Sequence, residues 1–224
     1  MVSRARRSRT RSSRFTLPGW HGAGSGGRAL SVAYGANVTA EQGSRRGNPP
    51  PVPLLFLDVD GPLIPFGGPS TRFPEGYPTY LPPTGRPDEG RNPLLARVDP
   101  GLGPRLAATG CELVWATTWM DDANAYVAPW LGLPELPVVL WPDETDEDVA
   151  ERARTGLHWK TRPLVARAAG RPFVWVDDEI TGSDRAWVAA HHPGRALLLR
   201  VDPRDGLTDA DFDALAEWLD GPAE

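Results

Sequence analysis

From Pro51 onward, short unbroken apolar runs alternate with segments whose apolar residues recur at helical spacing. Five runs predict strands: "LLFLD" (54–58), "CELVWATT" (111–118), "LPVVLW" (136–141), "PFVWVDD" (172–178) and "RALLLRV" (195–201). Between and after them, "GLGPRLAATG" (101–110), "DDANAYVAPWLG" (121–132), "WKTRPLVARAAG" (159–170), "SDRAWVAAHH" (183–192) and "LTDADFDALAEWLD" (207–220) predict helices. Gly110 and Gly170 stand where helices stop, and Thr208 and Asp211 are spaced as a capping box. The strands are apolar throughout rather than alternately, so both faces are buried. That pattern belongs to a parallel sheet covered on both sides by helices. The fold class is therefore α/β: a doubly wound, Rossmann-like parallel sheet of about five strands.

Two stretches break the rhythm. Residues 62–100 are rich in Pro and Gly and carry Phe66, Phe73, Tyr77 and Tyr80; a flap or loop insertion is the expectation there. Residues 142–157 are acidic and fit no strand. Residues 1–50 show no periodic apolar positions at all and hold nine Arg against one Glu. Three readings of this tail stand: a nucleic-acid-binding arm, a transit-type signal, and a solvated tail or wrongly chosen upstream start codon, the last being favoured. The domain proper is then 51–224.

Composition narrows the class. The body carries 15 Lys and Arg against 28 Asp and Glu, a balance unlike a nucleic-acid-binding surface, so no stable nucleic-acid partner is expected. The single cysteine, Cys111, rules out an intrachain disulfide and fits a reducing cytoplasm. No run reaches the length of a membrane span, and no membrane partner is expected. The nine tryptophans read mainly as core packing.

The chemistry gathers where strands end. In open parallel sheets, ligands bind beyond the carboxyl ends of the strands. The first predicted strand delivers Asp58 and Asp60, the second Thr117 and Thr118, the fourth Asp177 and Asp178, and Lys160 opens the preceding helix. Asp58 and Asp60, two apart on an extended chain, would share a face and crowd like charges. Four carboxylates at one edge call for a hard divalent cation with oxygen ligands, Mg²⁺ being the natural choice.

The order of these parts resembles the haloacid dehalogenase-like superfamily of phosphotransferases, from Pro53 to Leu219. Its motifs are matched by "LLFLDVDG", by "ELVWATT", by Lys160 in "HWKTRPLVA" and by "FVWVDD". "LVWATTW" and "LLRVDPRDGLT" further resemble the minimally capped domains associated with RNA-repair proteins. The resemblance implies Asp58 as nucleophile forming an aspartyl-phosphate. It implies Asp60 as general acid and base, with Gly61 permitting the turn that follows. Asp58, the main-chain carbonyl of Asp60, Asp177 and Asp178 would hold Mg²⁺. Thr117 would bind a phosphoryl oxygen, with Thr118 equally placed by spacing, and Lys160 would neutralise charge. Trp119 has two readings, stacking on a substrate base or sugar and rim packing.

Competing patterns fit less well. In a calcium loop a third acidic position precedes the Gly; a metal-dependent sugar transferase leaves Lys160 and the late Asp pair unexplained; a receiver domain has the reverse order. The reading is a Mg²⁺-dependent phosphatase acting on a phosphorylated small molecule or nucleic-acid end. The alternatives are a nucleotide or polynucleotide-end phosphatase and a non-catalytic phospholigand-binding protein. His158 has no motif behind it, and His191-His192 reads as a helix end.

Overall fold

The computed structural model describes residues 51–81 and 92–221. The Arg-rich stretch 1–50 and part of the expected flap lie outside the described residues. Four parallel strands form the sheet: β1 (Leu54–Leu57), β2 (Glu112–Trp115), β3 (Phe173–Asp177) and β4 (Ala196–Arg200), in the order β2-β1-β3-β4. The helices are α1 (Leu102–Ala108), α2 (Ala128–Leu131), α3 (Asp146–Thr155), α4 (Thr161–Ala168), α5 (Gly182–His191) and α6 (Asp209–Asp220). A 3₁₀ turn spans Pro93–Arg97, and a π-helical turn, Ala123–Val127, runs into α2.

Strand residues alternate between two cores. Leu55, Leu57, Leu113, Trp115, Val174 and Val176 face one side, packed with Leu102 and Leu106 of α1, Leu131 of α2 and Leu215 of α6. Leu54, Phe56, Val114, Phe173 and Trp175 face the other, against Leu164 and Ala168 of α4 and Val188 of α5. Every residue of β1 and β3 is buried, as their continuous apolar runs require. On the first side α1 meets α2 backbone to backbone: a Cβ on Gly103 would stand 1.7 Å from the Leu131 carbonyl oxygen, so only glycine fits.

The expected third strand, 136–141, is corrected. The segment lies at the outer edge of β2 but pairs there through one bridge, Trp115 with Val138. The Trp115 N–H donates to the Pro137 carbonyl (2.9 Å), and the Val139 N–H to the Trp115 carbonyl (2.9 Å). Pro137 has no N–H to continue a ladder, and Pro134 and Pro142 bracket the run. The acidic segment also differs from expectation, because it folds as α3. A capping box between Thr145 and Asp148 starts this helix, and Gly156 in left-handed conformation ends it. It buries no residue. The predicted 121–132 helix is split into its π and α parts but stops at Gly132, φ +64°.

This topology positions the site. From β1 the chain moves outward to β2, then crosses back to β3 on the other flank of β1. Connections therefore leave β1 and β3 in opposite directions, and the crevice between them opens at their carboxyl ends. Those ends are Asp58 and Asp177.

Candidate active site

β1 stops at Leu57, and the next residue is held in register by the sheet: the Asp58 N–H donates to the Val176 carbonyl (3.1 Å). Asp58 thus stands beside Asp177 at adjacent strand ends. The chain then tightens at once. The Leu63 and Ile64 N–H groups both donate to the Val59 carbonyl (3.0 Å each), and the Gly61 N–H to the Ile64 carbonyl (3.1 Å). Gly61 takes φ +86°, and a Cβ there would lie 2.7 Å from the Asp178 carboxylate. Glycine is needed twice over, for the turn and for the close pass of Asp178.

Asp58 and Asp60, expected to crowd, take separate donors. Asp58 accepts from its neighbour's N–H, Val59 (2.8 Å), and turns into the crevice. Asp60 accepts from the indole N–H of Trp119 (2.9 Å). The sequence offered no sign of this pairing, since the partners are far apart along the chain.

Lys160 joins the two strand ends. Its Nζ donates to Asp58 Oδ2 (2.6 Å) and to Asp177 Oδ2 (2.8 Å), and the residue is 2% exposed. Asp177 also accepts from the Trp175 indole (3.1 Å) and from the Glu179 N–H (2.9 Å). Burial pushes the Asp58 carboxyl up to about 7; the Lys160 ammonium pulls it down and the neighbouring Asp177 charge pushes it further up. Burial works against the Lys160 charge, but Asp58 and Asp177 outweigh it and hold its pKa above the usual value. Lys160 is therefore an ammonium at neutral pH. Asp178, half-buried beside Asp177, is pushed up to about 6, chiefly by burial. Among the described residues Lys160 is the cation bonded to this group, to two of its three carboxylates, so acid outnumbers base in the crevice.

The loop before α4 fixes that cation. The Lys160 N–H donates to His158 Nδ1 (3.2 Å), so Nδ1 carries a lone pair and Nε2–H points to Glu179 (3.0 Å). The His158 N–H donates to Asp184 Oδ1 (2.8 Å). Asp184 is fully buried and also accepts from the hydroxyls of Thr161 (2.5 Å) and Thr181 (2.6 Å) and from the Thr181 N–H (2.8 Å). Burial alone would raise its pKa; the Thr161 and Thr181 hydrogen bonds reverse the sign and keep it below the ordinary carboxylate range. Asp184 thus ties the start of α5 to the loop that presents Lys160. Sequence reasoning missed both Asp184 and Glu179. The spacing of Thr181 and Asp184, a capping box at the start of α5, was the available signal.

The two threonines separate by burial. Thr117 is fully buried, one residue past Ala116, whose N–H donates to the Leu57 carbonyl (2.9 Å). By that register Ala116 is level with Asp58, and Thr117 lies one residue beyond, past the end of β2. Its hydroxyl accepts from the Trp119 N–H (3.3 Å), and its carbonyl from the Trp141 indole (3.1 Å). Thr118 is exposed. Trp119 commits its indole N–H to Asp60, which gives its ring a positioning task.

Carboxylate oxygens of Asp58, Asp177 and Asp178 lie within 4.8 Å of one another, as do atoms of His158, Asp177 and Glu179. The first group is all oxygen, enclosed and over-supplied with negative charge, which fits a hard cation such as Mg²⁺. In the second, His158 and Glu179 are already bonded to each other. No helix among the described residues is long and apolar enough to cross a membrane.

Comparison with known proteins agrees with this arrangement. No curated protein and no solved structure matches the chain. A protein family does match, over residues 54–212, from the first residue of β1 into α6, and its description is "HAD domain in Swiss Army Knife RNA repair proteins". That span takes in all four strands and every residue of the crevice, and the chain accordingly belongs to this family of HAD domains.

Proposed function

We propose that the chain is a Mg²⁺-dependent phosphohydrolase working through an aspartyl-phosphate on Asp58. One observation carries the reading: a buried aspartate at the switch point, ion-paired to a buried lysine and flanked by two more carboxylates. A structural ion pair has no use for the surplus negative charge, whereas a site for a cation and a phosphoryl group does. Family membership supports hydrolase chemistry of this kind.

In the first step an Asp58 oxygen forms a bond to phosphorus, the ester P–O bond breaks, and Asp60 gives its proton to the leaving alkoxide. In the second, water attacks the same phosphorus, Asp60 takes its proton, and the bond to Asp58 breaks. Ester and water become alcohol and phosphate, with the enzyme restored. Trp119 holds Asp60 at the crevice mouth, and Lys160 balances charge on Asp58 and the phosphoryl oxygens. Asp58, Asp177 and Asp178 would hold Mg²⁺, which when bound supplies charge compensation for an anionic nucleophile meeting an anionic substrate. A second, narrower reading, a phosphatase of nucleotides or polynucleotide ends, is favoured by the RNA-repair context in the family's description.

The test is phosphate release from aryl phosphate, nucleoside monophosphates and 3′- and 5′-phosphorylated RNA. Release with Mg²⁺ and none with chelator is expected. Folded, Mg²⁺-binding protein that hydrolyses none of them would overturn the proposal in favour of a binding protein.

Metal and pH should act together. Asp58 and Asp178 stand at about 7 and about 6, above the ordinary carboxylate value near 4. A raised carboxylate adds stability that is full below its unfolded value and lost as pH rises through its folded value. In chelator, these two groups therefore stabilise the fold near pH 5 and have lost that contribution near pH 8. Mg²⁺ needs both ionised, so it should raise the melting temperature more near pH 8 than near pH 5. Tryptophan fluorescence during melting reads this directly, and equal shifts at both pH values would count against metal binding at these carboxylates.

A further inference from the structure

Helix α3 buries no residue, and beneath it, against α4, lies a cavity of about 370 Å³. That volume falls within the roughly 300–1,000 Å³ of small-molecule sites. Its apolar wall is Leu157, Trp159 and Pro163. Trp159 belongs to the catalytic end as well: its ring centre lies 5.6 Å from Lys160 Nζ and 4.7 Å from the ring of Trp141, the residue bonded to the Thr117 carbonyl. Trp159 and His158 thus line the cavity and also adjoin the lysine that touches Asp58.

The charges around the cavity say what it takes. Asp143, Glu144, Asp148 and Glu151 line it against Arg152 and Arg162. Both arginines are already paired, Arg152 with Glu144 (3.1 Å) and Arg162 with Glu151 (2.7 Å). With its cations spent and acid in excess, the cavity repels a phosphate and suits an uncharged group. An aromatic wall suits a flat one. Arg152 Nε is sealed from water with no acceptor among the described residues, so a ligand with acceptor atoms on its edge would meet an unmet donor after a small side-chain shift.

We propose that this cavity holds the nucleobase of a nucleoside phosphate whose phosphoryl group lies at Asp58, either a free nucleotide or the terminal nucleotide of a strand. The proposal rests on the phosphohydrolase reading for its phosphoryl end only.

The experiment is calorimetric titration of the full chain carrying Asp58→Asn, with Mg²⁺, using adenosine monophosphate, a phosphorylated oligonucleotide and glycerol phosphate. The two base-bearing ligands should bind at least about tenfold more tightly than glycerol phosphate, the effect of one stacked base. Ala166→Trp, a change at an exposed cavity position, should collapse that preference to about one while circular dichroism is unaltered. Trp159→Leu should do the same if Ala166→Trp proves unstable. Equal binding of all three ligands, or a preference that survives both variants, would overturn the proposal. Preference for the nucleotide alone assigns the cavity to free nucleotides, and preference for the oligonucleotide assigns it to strand ends. Phosphate esters hydrolysed without base preference sink the cavity and spare the phosphatase. Cavity-dependent nucleotide binding with no hydrolysis by the unmodified chain does the reverse.

Discussion

Asp58→Asn should abolish phosphate release, by at least about 10³-fold, or about 4 kcal/mol of transition-state stabilisation. The amide lacks the nucleophilic oxygen that must bond phosphorus, and no neighbour can replace it: Asp60 is turned to Trp119 and Asp177 is held by Lys160, Trp175 and Glu179. The same change should leave the fold intact. An asparagine side-chain oxygen can keep the Val59 N–H bond, and removing the charge relieves chiefly the cost of its burial, while Lys160 gives up one carboxylate partner and keeps Asp177. In chelator near pH 8, where Asp58 is ionised, the variant should therefore melt no lower than the original protein. Loss of activity without loss of stability separates a chemical role from a structural one. Activity within about tenfold of the original, in folded protein, would remove Asp58 from the mechanism.

Lys160→Met should damage both stability and turnover. The ammonium is buried and bonded to two buried carboxylates, so its removal strands their charges; breaking such a pair costs about 3–5 kcal/mol. The pH dependence has a definite sign. Without the ammonium, Asp58 rises further above its unfolded value, and folding near neutrality must take up a proton. Protonation relieves the site at low pH and fails as pH rises, so the deficit against the original protein should widen from near pH 5 to near pH 8. Mg²⁺ should narrow it by resupplying positive charge. Turnover should fall about 10²–10³-fold, as for other lost donors to a developing anion. Urea unfolding at the two pH values, with and without Mg²⁺, measures the stability effect. A deficit independent of pH would mean that Lys160 packs rather than pairs.

How much of this was legible in the sequence follows from what each signal physically encodes. β1 and β3 were plain because a strand buried on both faces must be apolar throughout, as "LLFL" and "FVWV" are. The segment 136–141 has the same composition, but a ladder needs N–H groups and Pro137 lacks one, so composition overstated it. Helix α3 was missed for the opposite reason: with nothing buried it shows no apolar stripe, and only Thr145, Asp148 and Gly156 marked its ends. At the site, Asp58, Lys160, Asp177 and Asp178 were named from motif order, and the structure brings their side chains together. Thr117 and Thr118 were equal by spacing and are separated only by burial. The supports were illegible. Trp119 to Asp60 and Asp184 to the His158 loop are contacts between distant segments, and no local pattern encodes them.

The central claim is a covalent bond between Asp58 and phosphorus, and one measurement addresses it directly. The full chain is mixed with a hydrolysed phosphate ester and Mg²⁺, quenched in acid within a single turnover, digested and analysed by mass spectrometry. A peptide spanning "LLFLDVDG" that carries one phosphoryl group on Asp58, absent in chelator, is the predicted result. Turnover with no adduct there, or with the phosphoryl group on another residue, would contradict it.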